Sequence, residues 1–144
     1  MATVKQLLES KDNNVWSISP DATVFEGLQV MAEKNIGALL VTRGDKLVGI
    51  FSERDYARKV ILKGKASKDT AISELMTKEV VYTTPDNSLD ECMALMSAKH
   101  IRHLPILKNN KLIGLLTLGD VVKQIMSNQE FKIQELEKYI SGEL

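Results

Sequence analysis

The sequence holds one cysteine, Cys92, and two histidines, His100 and His103, among its 144 residues. That excludes an internal disulfide and leaves no Cys/His cluster with the spacing of a zinc site. Also missing are the Walker sequence, a Gly-x-Gly-x-x-Gly turn and a nucleophile elbow, so the familiar phosphate loops and acyl-transfer sites have no carrier. Net charge is lacking as well. The 19 Lys and Arg cancel the 19 Asp and Glu, so no whole-chain field draws in nucleic acid or an acidic membrane. The longest apolar runs, such as Ile36 to Val41 with a glycine inside, fall far short of the roughly 18 residues of a membrane span. The start, Met1-Ala2-Thr3-Val4-Lys5-Gln6, has no apolar signal core. These absences lead us to expect a cytoplasmic chain in a reducing compartment, free of nucleic acid and membrane, with Cys92 as a buried structural thiol.

What remains is an ordinary globular composition, 44% hydrophobic and 26% charged, laid out twice. A shift of 65 positions overlays Val15-Trp16-Ser17-Ile18-Ser19-Pro20-Asp21 on Val80-Val81-Tyr82-Thr83-Thr84-Pro85-Asp86, and Lys46 to Ile50 on Lys111 to Leu115. Met31, Lys34, Ile36, Leu39 and Asp55 meet Met96, Lys99, Ile101, Leu104 and Asp120 in the same frame. A short helical segment precedes each copy, Val4 to Leu8 and Ile72 to Met76, once an insertion near Asp12 to Asn14 is allowed. The expected organisation is a first repeat over 1–62, a linker over 63–70, a second repeat over 71–127 and a C-terminal helix over 128–144.

Each copy reads as β-α-β-β-α. A strand, Val15 to Ile18 or Val80 to Thr83, stops at a proline that cannot donate to a ladder. The capping boxes Thr23-x-x-Glu26 and Ser88-x-x-Glu91 then open helices whose buried stripes are Val24, Leu28, Met31 and Leu89, Met93, Met96. Two hairpins follow, turning at Arg43-Gly44-Asp45 and Lys108-Asn109-Asn110. Glycine-led switches, Gly49 to Asp55 and Gly114 to Asp120, lead into helices over Tyr56 to Leu62 and Val121 to Met126. A last helix is expected to start at the Ser127-x-x-Glu130 cap, with Phe131, Leu136, Tyr139 and Ile140 as its apolar side and Gly142 as its stop. A unit of roughly 55 residues is marginal alone. The fold class is therefore α/β (α+β), with two repeats packed sheet to sheet about a pseudo-two-fold axis and two equivalent clefts between them.

At this point the residues resemble a known family, the CBS domain, which occurs as tandem pairs called Bateman modules. The likeness rests on the two glycine-led switches, on Ile101-Arg102-His103-Leu104-Pro105-Ile106, on Ser19-Pro20-Asp21 and Thr84-Pro85-Asp86, and on the duplication itself. It covers almost the whole chain, so we expect a stand-alone pair without an attached enzyme, channel or transporter domain. The resemblance implies a regulatory module that binds an adenosine-containing ligand (AMP, ADP, ATP, NAD or S-adenosylmethionine) in its clefts and associates as a homodimer. Its output partner is not legible.

Carried over by position, the resemblance puts Ser17, Ile18 and Ala38 in a nucleotide cleft completed by Arg102, His103, Thr117 and Asp120. The mirror cleft combines Thr83, Thr84 and Leu104 with Ser52, Arg54 and Asp55. The chemistry suits these roles. A carboxylate at a helix start accepts from both ribose hydroxyls, Ser52 and Thr117 offer hydroxyls beside free helix-start N–H groups, and arginine grips phosphate with a bidentate fork. No catalytic residue and no metal ligand is expected, because acid–base chemistry would need Asp55 and Asp120 in one site.

Plainer readings stand beside these. Ser/Thr-x-x-Asp at a helix start is also a cap, and His103 is also a hydrogen-bonded structural group. Arg58, Lys59 and Lys63 read as a solvated helix face, and Trp16 and Tyr82 as core or rim. A module that only associates, without ligand, is the alternative function.

Overall fold

The computed structural model describes residues 2–10 and 15–141. In chain order they form α1 (Val4–Ser10), β1 (Ser17–Ile18), α2 (Val24–Lys34), β2 (Ala38–Arg43), β3 (Lys46–Ser52) and a one-turn α3 (Glu53–Asp55). A π-helical turn (Tyr56–Ile61) and a 3-10 turn (Ile72–Glu74) precede α4 (Leu89–Lys99), β4 (His103–Lys108), β5 (Lys111–Thr117) and α5 (Leu118–Ser141). This is a mixed α/β fold with two small sheets, one β1-β2-β3 and the other β4-β5.

The duplication is visible in detail. Thr23 and Ser88 cap α2 and α4 by accepting the Glu26 and Glu91 N–H groups, each at 3.1 Å. Both helices end on a left-handed residue, Asn35 and His100, each with φ 54°. Both hairpins are antiparallel and carry a register shift at the same place, Val41/Thr42 and Ile106/Leu107.

The first strands differ. β1 pairs in parallel with β2 through Ser17 and Ile18 only, and Leu40 donates its N–H to the Trp16 carbonyl at 3.3 Å. In the second repeat Pro105 stands where Leu40 stands in the first, and it has no N–H to offer the Val81 carbonyl. The expected strand over Val80 to Thr83 therefore shrinks to a single bridge between Thr83 and Ile106. The helix expected over Tyr56 to Leu62 is wound more widely, with Leu62 donating to Ala57. The segment from Ile72 is a 3-10 turn where α1 is an α-helix.

No new helix starts at Ser127. With no Pro or Gly between Gly119 and Gly142, nothing interrupts the second repeat's last helix, and α5 runs unbroken through 24 residues. Gly142, its expected stop, lies outside the described residues. Among them no helix is long and apolar enough to cross a membrane.

Two cores form, and each borrows a segment from the other repeat. Val4 and Leu7 of α1 pack with Leu89, Cys92, Met96, Leu104, Ile106, Leu116 and Val121. Ile72 and Leu75 pack with Val24, Met31, Leu39, Val41, Phe51 and Val60. The exchange is held by matching bridges, Thr3 to Ser88 and Thr23 to Ala71. Each repeat in the sequence is thus not one packing unit. Met93, assigned to the buried stripe, is 37% exposed.

Candidate functional site

The exchange brings the start of the second repeat across β3. Ile50 and Thr77 exchange both N–H···O bonds, at 3.1 and 2.9 Å. Gly49 makes this approach possible: a Cβ there would meet Met76 Sδ at 2.5 Å and the Thr77 carbonyl at 3.1 Å. Beside this contact opens a cavity of about 670 Å³ with walls from both repeats. The first repeat contributes Gly37, Ile50, Ser52 to Asp55, Arg58 and Lys59. The second contributes Thr77, Glu79 to Val81, His100 to His103 and Pro105.

Asp55 forms the buried edge of this cavity, at 9% exposure. Its Oδ2 accepts from the Ser52 N–H at 3.0 Å and the Ser52 hydroxyl at 3.1 Å, while the Asp55 N–H donates to Ser52 Oγ at 3.2 Å. That is a full capping box on α3. The other oxygen, Oδ1, receives Lys59 Nζ at 3.1 Å and the Thr77 hydroxyl at 3.4 Å. Lys59 also donates to the Leu75 carbonyl at 3.1 Å, so it is a partly buried tie between elements and not the solvated residue expected. Arg54 reaches out to the His100 carbonyl at the end of α4, at 2.8 Å.

Of the residues assigned to this mirror cleft, Ser52, Arg54 and Asp55 line the cavity, while Thr83, Thr84 and Leu104 do not. Thr83 is buried, with its hydroxyl against Cys92 Sγ at 3.3 Å and accepting from Asn87 Nδ2 at 2.8 Å. Leu104 is a core residue, and the Thr84 carbonyl closes a turn by accepting the Asn87 N–H. Their side of the wall is supplied by Glu79, Val80 and Val81, which precede the single bridge. A signal for this lay in Pro105, which denies Val81 its ladder partner.

The other set is more scattered. Arg102 and His103 line the Asp55 cavity and also a second, more open one of about 770 Å³ shared with Thr117 and one side of α5. Asp120 repeats the cap, with Thr117 N–H donating to its Oδ2 at 3.3 Å and its own N–H to Thr117 Oγ1 at 3.1 Å. Ser17, Ile18, Ala38 and Asp120 line neither of these two cavities. Ser17 is exposed, Ile18 packs on the core around Phe51 and Ala38 is buried. Trp16 lies at the rim, 37% exposed with Lys34 Nζ 4.4 Å above its ring, and Tyr82 is exposed.

The CBS-domain profile matches residues 4–62 and again 72–127. The chain belongs to the CBS-domain family. As a CBS pair it is of the regulatory-module kind. It is 35% identical to the mitochondrial CBS domain-containing protein CBSX3 of Arabidopsis thaliana over 97% of this chain and 72% of that one. With YhcV of Bacillus subtilis the identity is 34% over 90% and 89%. A protein with CBS domains from Burkholderia ambifaria has the same fold, with a TM-score of 0.85 and 46% identity over 89% of this chain and 96% of that one. The CBS pair of MJ0100, solved with 5'-methylthioadenosine and S-adenosylmethionine, shares the fold at a TM-score of 0.78 and 22% identity, covering 89% and 98%.

In this CBS pair the electrostatics of the cavity centre on His103. Burial, with the Arg102 guanidinium beside it, holds its pKa below the ordinary histidine value, against the opposing pull of Glu53 and Asp120. Between two cavities, a neutral imidazole offers one hydrogen-bond donor and one acceptor. Arg54, Arg58, Lys59 and Arg102 add positive charge around the cavity mouth, against Glu53, Asp55 and Glu79. Among the described residues no three His, Cys, Asp or Glu side chains converge as metal ligands would.

Proposed function

We propose that this CBS pair is a non-enzymatic sensor of an adenosine-containing ligand, bound in the cavity that both repeats line. The observation that carries this reading is the pairing of a helix-start carboxylate from one repeat with an apolar and cationic wall from the other. Asp55 receives the ribose hydroxyls. Val80, Val81, Ile101 and Pro105 flank the base, with the Val81 backbone, released from its ladder by Pro105, available to the base edge. Arg54, Arg58, Arg102 and His103 face phosphate or another polar tail. The mirror position, with Ser17, Ile18 and Ala38 beside Thr117 and Asp120, is a second and weaker site. A ligand that touches both repeats shifts their mutual orientation only by the difference in its affinity for the two arrangements. The pair works as a homodimer in the cytoplasm, apart from nucleic acid and membrane, and passes the change to an output protein.

Titration calorimetry with AMP, ADP, ATP, NAD, S-adenosylmethionine and 5'-methylthioadenosine tests this. The reading expects saturable heat for at least one of them, with the tighter site lost in Asp55→Ala.

One observation favours a ligand-free association module instead. All four acceptor positions of Asp55 are already used within the chain, by Ser52 twice, Lys59 and Thr77. Dimerisation in solution with no heat from any of the six compounds would select that reading.

A further inference from the structure

The face of α5 that meets the core is Leu118, Val121 and Ile125, and after half-buried Asn128 its continuation turns polar with Lys132 and Glu135. The helix should lose its reason to be apolar there. Instead the stripe one position further round stays apolar to the end: Val122, Met126, Gln129, Ile133, Leu136 and Ile140. The spacing alternates four and three, the period of a coiled-coil seam, interrupted once by Gln129. Its apolar members are all exposed, from 37% at Val122 to 83% at Ile140. At its base the stripe opens into the 770 Å³ cavity, which Val122 and Met126 line.

The flanking charges say what fits. With Met126, Ile133 and Ile140 in one core position and Val122, Gln129 and Leu136 in the other, Lys132 and Glu137 flank the seam on opposite sides. They are spaced five residues apart, the separation at which flanking side chains of two parallel, in-register helices meet. Among the described residues neither has an ion-pair partner in its own chain. In that arrangement Lys132 of each copy faces Glu137 of the other. Gln129 would meet Gln129, amide to amide, whereas an antiparallel pairing about the stripe's centre sets Gln129 against Ile133.

We infer that α5 is an interface for a second copy of this chain, joined as a parallel, in-register two-stranded coiled coil through the Val122 to Ile140 stripe. The stripe spans 19 residues, or about 27 Å of helix. That is under three heptads, so the contact is reversible at low concentration. Phe131 lies on the outer face and takes no part. The inference is independent of whether the repeats bind a ligand.

Leu136→Cys tests it, because in register the same residue faces its own copy. Buried Cys92 does not compete. Mild oxidation of the full chain should give a disulfide-linked dimer with Leu136→Cys and little with Phe131→Cys. Sedimentation equilibrium should show Lys132→Glu weakening the dimer about three- to tenfold and Lys132→Glu/Glu137→Lys restoring it. Equal cross-linking of the two cysteine variants, or indifference of the dimer to the single reversal, would overturn the inference. So would a monomer at tens of micromolar, which would leave the stripe to a different partner.

Discussion

Lys59 Nζ lies 3.1 Å from Asp55 Oδ1, one helical turn along the same chain, and the Thr77 hydroxyl of the other repeat reaches the same oxygen at 3.4 Å. The carboxylate proposed to take ribose is therefore satisfied before any ligand arrives. A ribose hydroxyl must displace one of these donors, and Thr77 is the longer and uncharged one. Thr77→Val keeps the shape and removes the hydroxyl. It should tighten binding of the adenosine ligand about two- to tenfold by calorimetry, a hydrogen bond this long contributing about 0.5 to 1.5 kcal/mol. A tenfold loss would show that Thr77 contacts the ligand itself.

The exchanged segments make a prediction about where damage appears. Leu7 belongs to the first repeat in sequence but is 2% exposed in the core of the second. Leu7→Ala should cost about 2 to 5 kcal/mol. Amide hydrogen exchange should show the loss first in β4, β5 and α4 and least in β2 and β3. Loss confined to the first repeat's hairpin would contradict the exchange.

The two hairpin glycines are equivalent in sequence but not in surroundings. A Cβ on Gly49 would press on Met76 and on the Thr77 backbone, whereas one on Gly114 would meet the side-chain ends of Leu8 at 2.9 Å and Ile106 at 3.3 Å. Side-chain ends can give; backbone cannot without moving Thr77 and the cavity wall. Gly49→Ala should therefore destabilise by about 1 to 3 kcal/mol and weaken binding, and Gly114→Ala by less. Denaturant melts of both variants decide it, and a larger loss for Gly114→Ala would contradict this packing.

This asymmetry shows what could be read from the sequence. The shift of 65 residues set the repeats, hairpins and capped helices in place because caps, turns and alternation are local signals. The exchange was invisible to it, since Val4 to Leu8 and Ile72 to Met76 are apolar whichever core they join. Thr83 and Leu104 were assigned to the cleft by position, yet strand alternation and the Pro105 defect turn them into the core. Lys59 read as surface because its partners, Asp55 and the Leu75 carbonyl, lie respectively one turn and sixteen residues away.

His103 gives the pair a pH dependence of fixed sign. Its native pKa lies below the unfolded value, chiefly through burial and then Arg102, so the unfolded chain binds more protons in that window. The contribution to stability is complete above the unfolded value of about 6.5 and is lost as pH falls from there toward the lowered native value. His103→Gln should flatten this part of the stability profile in urea melts between pH 7 and 5. A phosphate beside His103 would oppose the shift. AMP affinity should then rise as pH falls from 8 to 6, with 5'-methylthioadenosine unaffected; an unchanged stability slope in the variant would contradict the assignment.

The central claim is that an adenosine-containing ligand joins the two repeats at Asp55. Its most direct test is the melting temperature of the native protein and of Asp55→Ala against the six compounds. A ligand at about 100 times its dissociation constant adds about 2.7 kcal/mol, a rise of roughly 5 to 10 °C for a chain of this size. The account predicts that rise for at least one compound and its disappearance in a folded Asp55→Ala protein. No rise with any of them, or a rise that survives the substitution unchanged, would contradict it.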